Sequence, residues 1–264
     1  MNNARLEAAL DAFESALGER PNVVAPLDSM SNAAWRVALR DGEAVLRTHT
    51  LDFGAPVTSH AREFAIHGFA AANGLAPGII FSSARAGVIV TDFEYAGAYG
   101  KDAFADTSRI ARVAERIAVL HGLDLPDSIT GYSLVEAADR YIARAGVGGN
   151  ADTDALADVV AWVEADADPA DRVLCHRDLL HANILASEPV QFIDWEFASP
   201  GERWFDLAGF AVWQDFDRVQ RDVMINAYLG RAPSEAERER LARNAQAFRA
   251  LCRLWELPAA TSGS

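Results

Sequence analysis

Residues 174–198, LCHRDLLHANILASEPVQFIDWEFA, limit what this chain can fold into more than any other stretch. RVLC, NILA and VQFI are apolar runs of β-type composition, and polar residues separate them. They lie between one set of helical stretches and the C-terminal helices. Asp178 follows the first run, Asn183 stands just before the next strand and Asp194 ends the third. Strand ends hold side chains in fixed places, so two carboxylates and an amide are set up either for chemistry or for capping turns.

Phosphoryl transfer asks little of a protein: a group that orients or deprotonates the attacking hydroxyl, hard oxygen ligands for magnesium, and positive charge on the phosphates. Asp178, Asn183 and Asp194 are of the right types for the first two tasks. Other chemistries lack their marks, since the chain has no G-x-x-x-x-G-K-[ST] loop, no H-E-x-x-H, no G-x-S-x-G and no G-x-G-x-x-G after a strand.

The rest of the chain divides in two. An opening helix is expected over about residues 4–18, and RVALRDGEAVLRTH reads as a hairpin turning at Asp41-Gly42. SHAREFAIHGFAAANG has helical composition with Gly74 as its stop, and GIIFSS and AGVIVTDF form a second strand pair. DFEYAGAYGKDAFADTS suits a hinge. Beyond it, Ile110, Val113, Ile117 and Leu120 recur at helical spacing, and YSLVEAADRYIARAG and DTDALADVVAWVEAD continue in the same way. The expectation is an α+β fold of two lobes: residues 1–95 with a small antiparallel sheet, and residues 96–264 mainly helical.

Composition narrows the partners. A formal charge of −14 repels a nucleic-acid backbone, which excludes that class. No apolar run approaches the roughly 20 residues of a membrane span, and the acidic N-terminus does not resemble a signal peptide, so a soluble cytoplasmic protein is expected. Cys175 and Cys252 fit no metal-ligand spacing and read as two reduced, buried thiols.

HRDLLHAN followed by FIDWE resembles the catalytic and metal-binding motifs of the aminoglycoside phosphotransferase and choline kinase superfamily, small-molecule relatives of protein kinases. The absence of Asp-Phe-Gly and of an Ala-Pro-Glu segment separates it from protein kinases. The resemblance implies a two-lobed protein-kinase-like fold, with ATP and Mg2+ as cofactors. Asp178 would take the proton of the acceptor hydroxyl, and Asn183 and Asp194 would bind magnesium. Lys101, the only lysine, is misplaced for the phosphates, so Arg47 on the outgoing hairpin strand would grip them, held by Glu63 of the next helix. A surface ion pair is the other reading of Arg47 and Glu63. The adenine would lie along the backbone of Asp92, Phe93, Glu94 and Tyr95. In the phosphate loop, DSMSN keeps Ser31 and Asn32 but has Asp28 and Ser29 where the family has glycines, which limits close backbone approach. His121 is expected to be structural, His176 to support the catalytic loop, and Asp206 to cap a helix and brace that loop.

The acceptor pocket of the superfamily is built from the helical lobe. That region holds Trp195, Glu196, Trp204, Trp213, Asp215, Asp217, Trp255 and Glu256, aromatic faces and carboxylates that suit a cationic alcohol such as choline, ethanolamine or thiamine. Tryptophans at helical spacing are also ordinary core residues. Wording such as HRDLLHANIL with IDWEFA is closer to the choline kinase and thiamine kinase branches. An aminoglycoside or other antibiotic phosphotransferase, and a non-catalytic pseudokinase that binds a small molecule, are the alternatives.

Overall fold

A computed structural model describes residues 2–28, 32–49, 57 and 59–259. Its first half is built on a five-stranded antiparallel sheet in the order β1-β2-β3-β5-β4, with β1 Asn22–Leu27, β2 Asn32–Leu39, β3 Gly42–His49, β4 Ile79–Ser83 and β5 Val88–Asp92. Helix α1 (Asn2–Leu17) precedes the sheet and α2 (His60–Ala72) lies between β3 and β4. The alternation of β3 decides what each face does. Ala44 and Leu46 are buried with Leu6, Leu10 and Phe13 of α1, which covers the outer face. Val45 and Arg47, one residue out of phase, point the other way and line a cavity.

The hairpin turn sits one residue earlier than expected. Leu39 pairs with Gly42, so Arg40 and Asp41 form the two-residue loop, and the positive φ of 144° falls on Gly42 at the start of β3. Strand β1 was not anticipated. It occupies a sheet edge, which is where a strand containing Pro26 can be tolerated.

The second half contains α3 (Thr107–His121), α4 (Leu134–Ala145), α5 (Ala151–Ala165), α6 (Arg203–Trp213), α7 (Arg218–Leu229) and α8 (Glu235–Trp255). Two short ladders are set among them. β6 (Arg172–Cys175) pairs with β9 (Ser199–Glu202), and β7 (Ile184–Leu185) with β8 (Gln191–Phe192). β9 is too polar and too short to be read from sequence. The fold is the two-lobed kinase-like one expected. Ile110, Val113, Ile117 and Leu120 are fully buried in the larger helical core with residues of α6 and α7, whereas α4, α5 and α8 share a second core cluster.

Backbone hydrogen bonds tie the lobes at Leu75 and fasten the segment just after the sheet, residues 97–99, to the helical lobe. Phe192 N–H donates to Leu75 O at 2.7 Å, Ala186 N–H to Gly97 O at 2.8 Å and Tyr99 N–H to Ile184 O at 2.9 Å. Both cysteines are free thiols, but only Cys175 is buried; Cys252 is partly exposed and lines the cavity. Among the described residues, no helix is long and apolar enough to cross a membrane.

Candidate active site

Asp178 lies in the turn after β6, and the turn is held from below. Asp206, buried in the first turn of α6, accepts from the backbone N–H of His176 and of Arg177, both at 2.7 Å, and from His121 Nε2 at 3.1 Å. His121 also meets the Tyr228 hydroxyl at 2.9 Å, and His176 Nε2 sits 2.9 Å from Ile193 O. The two histidines and Asp206 are thus framework under the loop. His121, Cys175 and Asp206 are close enough to chelate an ion. Their buried polar atoms are already spent on Tyr228, Glu202 O and the loop amides, which leaves no reason to place one there. Arg177 adopts φ +66°, a left-handed conformation uncommon for arginine, and the Asp206 bonds to its own amide and to that of His176 hold the backbone there.

Asp178 is gripped from two sides. Trp213 Nε1 donates to its Oδ1 at 3.1 Å and Asn183 Nδ2 to its Oδ2 at 2.8 Å. Burial and the nearby negative charge of Asp194 raise its pKa to about 7, and those two hydrogen bonds oppose the rise. A carboxyl placed there is suited to taking up a proton near neutral pH.

The β7–β8 ladder brings the other two polar residues together. Ile184 pairs with Phe192, so Asn183 and Asp194 sit at the same end, and Ile193 N–H donates to Asn183 O at 3.0 Å. Asp194 adopts φ 65°, ψ 63°, a left-handed conformation that aspartate tolerates better than most residues. Its Oδ1 accepts from Arg47 Nη1 at 2.7 Å and Asn32 Nδ2 at 3.2 Å. Arg47 also pairs with Glu63 of α2, which binds His49 through its other oxygen. Burial would lower the Arg47 pKa, but Glu63, Asp194 and Glu196 outweigh it and raise it instead. Burial would likewise raise Glu63; Arg47 and His49 prevail and hold it at about 2.

Arg47, Asp178, Asn183 and Asp194 line one cavity of about 710 Å³. Under the sheet, Leu27, Ala34, Val45 and Ile89 face Leu185 and Ile193 across an apolar slot, with Asp92, Phe93 and Glu94 at its rim. Asp92 and Phe93 have already given their backbone N–H to Gly78 O and Glu43 O. Tyr95 is 72% exposed and its ring stays outside the cavity. Ser31 lies outside the described residues; Asp28 is exposed and lines the cavity edge. The far end of the cavity is walled by Tyr132, Tyr141, Phe197, Trp213, Phe248 and Trp255, with Glu256 beside them.

Three of the four expected acceptor residues lie away from the cavity. Trp195 and Trp204 are 0% and 3% exposed and belong to the larger helical core, Trp195 donating to Phe192 O at 3.1 Å. Glu196 is buried beside Arg47 as part of its negative surroundings and does not line the cavity. Trp213 does line it. Tyr141 and Phe248 were missed because their positions follow from the packing of α4 against α8, and Tyr132 because its place is set by Ser199 and Phe197, which no local motif encodes. Val45 had a signal: two residues before Arg47 on a strand, it shares that face.

The donor types fit a hard cation. Asn183 spends Nδ2 on Asp178, leaving its amide oxygen to offer, and Asp194 supplies a carboxylate, both oxygen donors of the kind magnesium takes.

No curated protein matches the sequence significantly. Among solved structures, a choline/ethanolamine kinase family protein from Mesorhizobium loti superposes with TM-score 0.77 at 24% identity, over 96% of this chain and 84% of that one. The choline kinase LicA from Streptococcus pneumoniae gives TM-score 0.75 at 17% identity, over 94% and 88%. An aminoglycoside-3'-phosphotransferase of type VIII gives 0.64 at 20%, over 94% and 99%. At these identities the likeness is one of fold. The family model described as "Phosphotransferase enzyme family" matches residues 23–253, nearly the whole chain, and the protein therefore belongs to the phosphotransferase enzyme family.

Proposed function

We propose that the protein transfers the γ-phosphoryl group of ATP to the hydroxyl of a small cationic alcohol of the choline, ethanolamine or thiamine type. One observation carries this reading: Asp178, Asn183, Asp194 and Arg47 meet at a single cavity whose other end is aromatic and carries Glu256. An aromatic face beside a carboxylate attracts a desolvated cation by roughly 0.5–2 kcal/mol per contact. Residues 1–95 act as the nucleotide lobe and 96–264 as the catalytic and acceptor lobe.

Asp178, fixed by Trp213 and Asn183, orients the acceptor hydroxyl and takes its proton as the oxygen attacks. Arg47, positioned by Glu63, holds positive charge where the phosphates lie. The base occupies the apolar slot along residues 92–95. Asn183 and Asp194 would hold Mg2+, which when bound neutralises phosphate charge.

Asp28 at the cavity edge favours a second reading, a pseudokinase in which a carboxylate near the phosphate loop weakens the nucleotide. ADP release with Mg-ATP over choline, ethanolamine, thiamine and aminoglycosides separates them. Turnover on one of the first three is expected; turnover on aminoglycosides alone moves the protein to the antibiotic kinases. Mg-ATP binding without turnover on any of them supports the pseudokinase.

A further inference from the structure

Helix α2 carries Arg62 and Glu63 side by side, and they face opposite parts of the molecule. Glu63 meets Arg47 and His49 on β3. Arg62 reaches into the helical lobe, where its guanidinium carbon lies 4.7 Å from the centre of the Tyr132 ring and its Nη2 donates to Val57 O at 2.6 Å. Val57 comes from the connection between β3 and α2, yet it is 1% exposed and packed in the core cluster of α4, α5 and α8. The start of α2 is therefore anchored in the lobe opposite the sheet.

Tyr132 is the post to which it is anchored. Ser199 Oγ accepts from its backbone N–H at 2.9 Å and donates to its carbonyl at 3.0 Å. Gly131 makes that approach possible, because a Cβ there would overlap Ser199. The Tyr132 hydroxyl donates to Phe197 O at 3.0 Å, three residues beyond Asp194. The guanidinium carbon of Arg177, the neighbour of Asp178, lies 4.9 Å from the same ring. Two cations thus share one buried ring, one from α2 and one from the catalytic loop. The ring also forms part of the aromatic wall of the cavity.

We infer that Tyr132 is a positioning residue: through Arg62 it fixes helix α2, and so sets the Glu63–Arg47 pair that receives the nucleotide phosphates. This rests on the kinase reading for its ligand, not for its mechanics. Arg62 does not itself line the cavity, and the exchange of the α2 amides tells an effect carried by α2 from one carried by the Tyr132 ring.

The test pairs Mg-ADP titration calorimetry with hydrogen exchange of the α2 amides in the full chain. Arg62→Met and Tyr132→Leu should each speed α2 exchange and weaken Mg-ADP by about tenfold, a usual size for coupling between sites. The double variant should show no more than either single one, as expected for one shared contact. Tyr132→Phe keeps the ring and should restore both readouts. Val160→Ala opens a cavity in the same core cluster without touching Arg62, and should lower the melting temperature while leaving α2 exchange and Mg-ADP affinity as in the wild type. Unchanged α2 exchange in Arg62→Met and Tyr132→Leu overturns the inference, as does an equal loosening of α2 by Val160→Ala. A wild type that fails to bind Mg-ADP defeats the kinase reading, while the exchange data still decide whether Tyr132 holds α2.

Discussion

The two ends of the cavity are made in different ways. At the phosphate end, charge answers charge: Arg47 lies between Glu63 and Asp194, and His49 closes the far side of Glu63. At the acceptor end, rings from α4, α6 and α8 form the wall and Glu256 is its carboxylate. The first end is a network in which each member needs the others, since a buried charge without its partner is costly. The second is a packed surface in which one ring can be exchanged for another at modest cost. Rigid grip and adaptable pocket are therefore separate properties of one cavity.

Asp178 stands where the two ends meet, and its removal is the strongest challenge to that contrast. Asp178→Asn should lower the transfer rate by about 10²–10⁴-fold while leaving Mg-ADP affinity unchanged. A loss of only a few-fold in single-turnover measurements would place the base elsewhere. Next comes the network. Glu63→Gln leaves Arg47 short of a buried partner and should cost about 3–5 kcal/mol of stability in urea unfolding. Its pH dependence has a definite sign. Glu63 is held at about 2 in the folded protein against an ordinary value of 4.5, so its contribution is complete above 4.5 and disappears as the pH falls toward 2. Stability measured across that window should fall less steeply in Glu63→Gln than in the wild type; parallel curves would mean that the carboxylate is not held by Arg47. The smallest effect sharpens the border between the ends. Trp213→Phe keeps a ring on the acceptor wall and removes only the donor to Asp178, a bond to a charged group worth about 1.5–3 kcal/mol. Turnover should fall by roughly tenfold with KM for the acceptor nearly constant. A change in KM alone would make Trp213 a wall residue and nothing more.

The same contrast explains what could be read in the sequence. Asp178, Asn183 and Asp194 fall within a single stretch, and the resemblance to the phosphotransferases, which implies a basic residue on a first-lobe strand and a carboxylate on the next helix, pointed to Arg47 and Glu63. The rings of the acceptor wall come from positions 132 to 255, and only the packing of distant helices says which of them face the cavity. Hence Trp213 and Trp195, both close to the motif in sequence, go to different places: one to the wall, the other wholly into the core. The slipped hairpin turn has a local cause, because Gly42 supplies the positive φ at the first residue of the strand instead of inside the loop. β9 escaped notice because Ser-Pro-Gly-Glu has no strand composition and gains its pairing only from β6.

The backbone bonds at Leu75 and at residues 97–99 have a mechanical consequence. Leu75, at the turn after α2, is stitched to β8, and residues 97–99 are stitched to β7, so β4 and β5 are tethered at both approaches to the helical lobe. A clamshell opening would have to break the Leu75–Phe192 bond, while the bonds of residues 97–99 hold the segment from which the sheet would swing. Asn32 of β2 and Arg47 of β3 reach across the cleft to Asp194, which is also an expected seat of the metal. Asp194, shared by Asn32 and Arg47, is thus the point at which the sheet, the helical lobe and the expected metal would meet.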